Sequence, residues 1–291
     1  MTTGSHRGTV FLVDAEILRQ DAHPAEQYVL RLSAPECARH ARPGTFVHVG
    51  CDPLLPMRRP FSIMRASPKG GWIELLYKAL GQGTRLLAAR RAGERVSLLG
   101  PIGNPFRPLP GRPRPLLIGG GVGIPPMVFL ADMLRRGQDL RPLALLGSEV
   151  PFPFKPRPSG YLVPGVPPSV IAAVPLLDDW GIPSRLASLK GFAGCFEGYV
   201  TELARLWLES LADRDRRDVE VFACGPHPML EAVARLARDF DLPCQVSLEE
   251  FMACGVGGCA GCTVPVQTPE GTAMKRVCVD GPVLDARQVF R

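Results

Sequence analysis

Four cysteines near the C-terminus carry the clearest chemistry in this chain. They stand as Cys254-x4-Cys259-x2-Cys262-x15-Cys278, within the stretches MACGVGGCAGCTVPV and CVDG. A C-x4-C-x2-C run with a distant fourth cysteine is the plant-type [2Fe-2S] spacing. Each iron takes tetrahedral sulfur, so two irons bridged by two sulfides need four thiolates. Gly255, Gly257, Gly258 and Gly261 let a short loop wrap such a group and bring its backbone N–H groups to the sulfurs. The alternative is a structural zinc site. Zinc ribbons prefer two separated C-x2-C knuckles, which this spacing matches poorly. Cys37, Cys51, Cys195 and Cys244 have no such spacing and are expected as small buried apolar residues.

A second set of residues suits a flavin. Arg59-Pro60-Phe61-Ser62 falls in an apolar, strand-like stretch. An arginine fork can clamp a pyrophosphate, an aromatic ring can lie on a ring system, and a serine hydroxyl can bond a flavin edge. Gly81-Gln82-Gly83-Thr84 opens a short helical stretch whose free N–H groups suit a phosphate. Leu76, Tyr77 and Lys78, on the strand between, are expected to line the same site. Each pattern alone reads equally as an ordinary strand or turn.

A third set suits a dinucleotide. Gly119-Gly120-Gly121-Val122-Gly123-Ile124-Pro125-Pro126 follows a strand and opens a helix. It is not G-x-G-x-x-G, because position 124 is Ile, so a standard Rossmann dehydrogenase is disfavoured. Cys224-Gly225-Pro226-His227-Pro228-Met229 ends a later strand. His227 is expected to cap or face solvent, because hydride transfer between nicotinamide and flavin needs no acid or base there. The five histidines show no metal spacing.

These residues need elements to hold them. Segments 9–15, 27–33, 45–51, 60–65, 72–80 and 95–99 are apolar, often alternating, and separated by turn signals such as ARPG and SPKGG. Six strands at this spacing predict a closed antiparallel β-barrel. One helix fits at 84–91, with Thr84 as N-cap. After the linker-like GRPRP at 111–115, strands at 116–118, 143–146, 170–174 and 219–223 alternate with helices at 125–136, 200–212 and 227–240. That alternation predicts an α/β domain with a parallel sheet. The proline-rich stretch 151–168 reads as a surface excursion. The expected division is a flavin-binding barrel over 6–107, a nucleotide domain over 112–242 and a small C-terminal [2Fe-2S] module over 243–291.

The 291 residues are 46% hydrophobic and 21% charged, which suits folded cores. The net charge is +6, but the basic residues are scattered, and no stripe interleaved with aromatics suggests nucleic acid. Some arginines are expected on cofactor phosphates. No apolar run reaches the roughly 18 residues of a membrane span. The first residues lack a signal-peptide pattern, so a cytoplasmic location is expected. In a reducing compartment, clustered cysteines bind metal more often than they form disulfides.

Taken together and in this order, RPFS, GQGT, GGGVGIPP and CGPHPM resemble the ferredoxin–NADP reductase superfamily. Phe61 stands where many relatives have tyrosine. The tail SLEEFMACGVGGCAGCTVPV…KRVCVDGPVLDA, with LLIGGGVGIPPM and Gly198-Tyr199-Val200-Thr201, is similar to the electron-transfer subunits of NAD-dependent dihydroorotate dehydrogenase. The resemblance implies FAD held by the barrel, NAD held at Gly119, Gly120, Gly121, Gly123, Cys224, Gly225 and Pro226, and a relay. In that relay an FMN-containing catalytic subunit oxidises dihydroorotate, and electrons pass through [2Fe-2S] and FAD to NAD+. It implies a hetero-oligomer, expected as a heterotetramer, working in pyrimidine synthesis. Glu149, just past the 143–146 strand, weakly favours a free ribose hydroxyl and so NAD over NADP. Similar chains also serve NADH-dependent ferredoxin:NADP+ oxidoreductases, sulfide dehydrogenases and hydrogenases. A zinc-stabilised, colourless scaffold is the non-enzymatic alternative.

Overall fold

Period-two burial shapes the first half of the chain. In β2 (Gln27–Ser33), Leu30 and Leu32 are fully buried, while Arg31 between them stays half-exposed. The computed structural model describes residues 9–137 and 139–290. Residues 6–8 of the expected barrel domain and Arg291 lie outside the described residues. β1 (Phe11–His23), β2, β3 (Phe46–Val49), β4 (Arg59–Ser67), β5 (Trp72–Lys78) and β6 (Arg95–Ile102) close into a barrel of order β1-β2-β5-β4-β3-β6. Its neighbouring strands run antiparallel. Closure leaves no unpaired edge. β1 runs well past the expected Ala15, because its second half pairs with β2 as far as His23 opposite Gln27.

Two details of the barrel differ from the sequence reading. A helix at Pro35–His40 has no strong signal in the sequence. The helix expected from Thr84 begins earlier, spanning Gln82–Ala88 with Gly81 as its N-cap. Thr84 sits inside the first turn, and its hydroxyl accepts from Gly81 N–H at 3.0 Å.

The second half alternates strands and helices, as expected. β7 (Arg114–Gly120), β8 (Leu143–Gly147), β11 (Ser184–Ala187), β12 (Val219–Cys224) and β13 (Cys244–Ser247) pair in parallel in the order β11-β8-β7-β12-β13. Helices Ile124–Leu134, Val200–Ser210 and His227–Asp239 supply the crossovers. The expected strand at 170–174 is not in this sheet. Only β10 (Ala172–Ala173) forms there, paired antiparallel with β9 (Arg157–Pro158) of the proline-rich excursion. Pro167, Pro168 and Pro175 flank it and lack the N–H groups a longer ladder needs. β11 takes the sheet position instead. The expected start of the cluster module, residue 243, also lies too early: Cys244–Ser247 extends the parallel sheet beside β12.

The chain forms two compact units. One holds the barrel up to Pro105 with Glu250–Val283, and the other holds Phe106–Glu249 with the residues from Leu284 onward. In the first unit, Glu250–Val283 carries the cysteine loop, the hairpin Thr263–Thr268/Gly271–Arg276 and a helical turn at Val277–Asp280. Asn104 ties it to the barrel. Its side-chain amide donates to Asp280 O at 2.8 Å and Val279 O at 3.2 Å, and its backbone N–H to Gly281 O at 2.6 Å.

Candidate functional site

The four expected cysteines come together as two pairs. Cys254 and Cys259 interact through their side chains, and so do Cys262 and Cys278. Backbone N–H groups point at the sulfurs: Cys259 N–H at Cys254 Sγ (3.5 Å), Gly261 N–H at Cys259 Sγ (3.4 Å), and Cys278 N–H at Cys262 Sγ (3.5 Å). Burial alone would raise the Cys254 thiol. The backbone N–H groups of Val256, Cys259 and Gly258, with the Cys259 side chain, outweigh it and bring the thiol down to about 7. Cys278 is pushed up, first by burial and then by its neighbour Cys262. A bound cation would relieve that repulsion.

The spacing and the N–H donors bear on which metal chemistry these thiolates suit. Two sulfur pairs, each served by N–H donors, fit a [2Fe-2S] group with one pair per iron. The loop reaches this shape through left-handed backbone at Gly255 (φ 68°) and Gly257 (φ 83°). A Cβ on Gly257 would stand 2.6 Å from Val279 Cγ2.

The same unit brings RPFS and GQGT together. Arg59 Nε lies 3.4 Å from where a Gly83 Cβ would be, so the guanidinium lies against the first turn of the helix. Its Nη1 donates to Met57 O at 3.0 Å. Leu76 and Tyr77 are buried, and Lys78 and Ser62 are half-buried. Phe61 is buried with its ring 5.4 Å from that of Tyr77, which stacks in turn on Tyr28. Gln20 holds this arrangement and escaped the sequence reading. It accepts from Tyr77 Oη at 2.9 Å and donates to the carbonyls of Leu87, Ala88 and Arg90, tying off the far end of the helix. The signal for it was only a polar residue in a strand.

In the second unit the two glycine turns meet. Gly119 at the end of β7 pairs with Cys224 at the end of β12. A Cβ on Gly120 would stand 2.4 Å from Met229 Sδ, and one on Gly225 would stand 2.5 Å from Met229 Cε. One on Gly123 would stand 2.2 Å from Cys224 O. GGGVG and CGP therefore pack directly on each other at the carboxyl ends of adjacent parallel strands, the end where open α/β sheets take ligands. Gly121 takes φ 55° at the base of the turn. Pro226 is the N-cap of the helix His227–Asp239. The His227 ring lies against Phe290 at 5.1 Å. Cys224 is buried and its thiol is pushed far up, first by burial and then by Glu249, whose Oε1 is 4.0 Å away. Burial raises Glu249 as well. Glu249 escaped the sequence reading because only the fold brings it to Cys224.

Comparison with known proteins agrees with both units. The family described as the iron-sulfur cluster binding domain of dihydroorotate dehydrogenase B matches residues 249–290. The electron transfer subunit of dihydroorotate dehydrogenase B (NAD(+)) from Desulforamulus reducens is 34% identical over 282 residues, covering 95% of this chain and 97% of that one. Its counterpart from Bacillus caldolyticus is 36% identical over 273 residues, covering 90% and 92%. A solved structure of an NADH-dependent reduced ferredoxin-NADP oxidoreductase superposes with a TM-score of 0.76 at 26% identity, covering 95% of this chain and 90% of that one. The chain belongs to the family of electron-transfer subunits of NAD-dependent dihydroorotate dehydrogenase B.

Proposed function

We propose that this chain passes electrons from an FMN-containing, dihydroorotate-oxidising subunit to NAD+ in pyrimidine (UMP) synthesis. The observation that carries the reading is the gathering of Cys254, Cys259, Cys262 and Cys278 into two N–H-served pairs, in the unit where Arg59 lies against Gly83. When bound, the cluster and the flavin supply the conversion between single electrons and a hydride pair.

The chain's own residues bind, orient and exclude. Cys254, Cys259, Cys262 and Cys278 would hold [2Fe-2S]. Arg59, Pro60, Phe61, Ser62, Leu76, Tyr77, Lys78, Gly83 and Thr84 would hold FAD, with the Arg59 fork on its pyrophosphate. Gly119, Gly120, Gly121, Gly123, Cys224, Gly225 and Pro226 would let NAD come close to the backbone. No proton-transfer residue is required of this chain, since dihydroorotate is oxidised on the partner.

The partner should meet the cysteine loop. Phe251 is 94% exposed beside that loop, and Val256 within it is 56% exposed. Large exposed apolar side chains beside a polar loop suit a protein interface. A heterotetramer of two chains of each kind, in the cytoplasm, accords with this reading. Among the described residues no helix is long and apolar enough to cross a membrane.

Co-expression with the catalytic subunit tests the proposal. The pair should co-purify and reduce NAD+ with dihydroorotate, while this chain alone reduces dyes with NADH but leaves dihydroorotate untouched. The second reading, a flavin/iron-sulfur subunit of an NADH-dependent ferredoxin:NADP+ oxidoreductase, rests on the 0.76 superposition. Selective binding of that enzyme's large subunit instead would favour it.

A further inference from the structure

His48 stands where neither the fold nor the cofactor motifs call for a histidine. It lies on β3 between Val47 and Val49, both fully buried, and is itself 0% exposed. Both its ring nitrogens are buried, and neither has a hydrogen-bond partner. A buried polar group without a partner is destabilising, and an apolar side chain of similar volume would fill the space without that cost. The ring therefore needs another explanation.

Its surroundings point to the cysteine loop. A Cβ on Gly255 would stand 2.9 Å from His48 Nδ1 and 3.1 Å from its Cε1, so the loop backbone next to Cys254 lies directly on the ring. Any other residue at 255 would close that approach. Across the ladder His48 pairs with Pro60 of the RPFS strand. On the same patch Arg58 donates through Nη2 to Ser97 Oγ at 2.8 Å, while its Nε is likewise buried without a partner. Burial, then the charges of Arg58 and Arg59, hold the imidazole down to about 4, so the ring is neutral and carries one N–H donor.

We propose that His48 is a positioning residue of the cluster site, its ring N–H donating to sulfur on the Cys254 side of the bound [2Fe-2S] group. The inference rests on the cluster assignment made above. Hydrogen bonds to cluster sulfurs stabilise the reduced, more negative state and raise the potential. His48 thereby ties the barrel strand beside the RPFS motif to the potential of the cluster.

The test uses the purified, loaded full-length chain. Under redox titration followed by EPR, His48→Phe should keep its iron, sulfide and FAD but be about tenfold less reduced at a fixed potential, about 59 mV for a one-electron couple. His48→Asn places an amide N–H where Nδ1 stood and should recover most of that shift. In wild-type protein labelled with 15N-histidine, pulsed EPR of the reduced cluster should show a coupled histidine nitrogen. This second measurement stands even if His48→Phe fails to fold. A wild-type cluster with no histidine coupling overturns the proposal, as does an unmoved potential in a fully loaded His48→Phe. A wild-type chain with no iron–sulfur signal at all overturns the cluster assignment and this inference together.

Discussion

Gly123 lies so close to Cys224 that a Cβ on it would stand 2.2 Å from the Cys224 carbonyl oxygen and 2.5 Å from Gly225 N. The two residues are far apart in sequence, Gly123 in the turn after β7 and Cys224 at the end of the adjacent parallel strand β12. Their approach packs two motifs into one. The obstructing atoms are backbone, so the crowding cannot be relieved by a rotamer change.

Gly123→Ala should therefore displace the CGP turn. Overpacking of this kind costs about 1–3 kcal/mol. NADH affinity should fall by about tenfold or more, with FAD and iron content unchanged. Stopped-flow reduction of the flavin over a range of NADH concentrations measures this. Unaltered affinity would remove the packed GGGVG and CGP turns as the nucleotide site.

Arg59→Ala should weaken FAD. A charge-assisted hydrogen bond contributes about 1.5–3 kcal/mol, so FAD affinity should fall by about tenfold to a hundredfold. Fluorescence titration of FAD into deflavinated protein is the check. Wild-type affinity would show that the contact between Arg59 and Gly83 only supports the strand.

Thiol chemistry should separate the cysteines into two classes. After the iron is removed, Cys259, which is exposed, and Cys254, half-exposed, should alkylate first. Burial pushes Cys37 up to about 12 and Cys51 up to about 11. Both should stay unmodified at pH 8, where a thiol with so high a pKa is almost wholly protonated. Peptide mass spectrometry reads the order. In the loaded protein all four cluster cysteines should be protected, and labelling of Cys259 there would count against ligation.

Asn104→Ala should loosen the cluster segment. It leaves the carbonyls of Val279 and Asp280 without their side-chain donor, a cost of about 1–3 kcal/mol. The visible iron–sulfur absorbance should bleach several-fold faster under chelator, while NADH still reduces the flavin. An unchanged bleaching rate would mean that the backbone bond from Asn104 to Gly281 suffices.

The cysteine spacing, the barrel and the alternating half were legible because each rests on local pattern: ligand spacing, period-two burial and strand–helix alternation. What escaped depends on distant partners. β11 reads SRLA, with Ser184 and Arg185 buried. Ser184 Oγ accepts from Val174 N–H, and the Arg185 guanidinium donates to the carbonyls of Ser184 and Tyr161, partners that the local sequence does not announce. The apolar run 170–174 looked the better strand, yet burial alone does not supply a ladder partner. Cys244–Ser247 was hidden by its place next to the cysteine-rich tail. Gln20 and Asn104 were invisible for the same reason: each is an ordinary residue in a strand or turn until the fold brings its partner to it.

Electrons should cross this chain through the site of Cys254, Cys259, Cys262 and Cys278. The most direct measurement is dihydroorotate-dependent NAD+ reduction by the co-purified complex carrying Cys259→Ser. With the cluster lost and FAD and FMN still bound, dihydroorotate should bleach the FMN as fast as in wild type, while NADH formation falls to background. NADH formation at the wild-type rate in that cluster-free complex would mean that electrons reach NAD+ without passing through these cysteines.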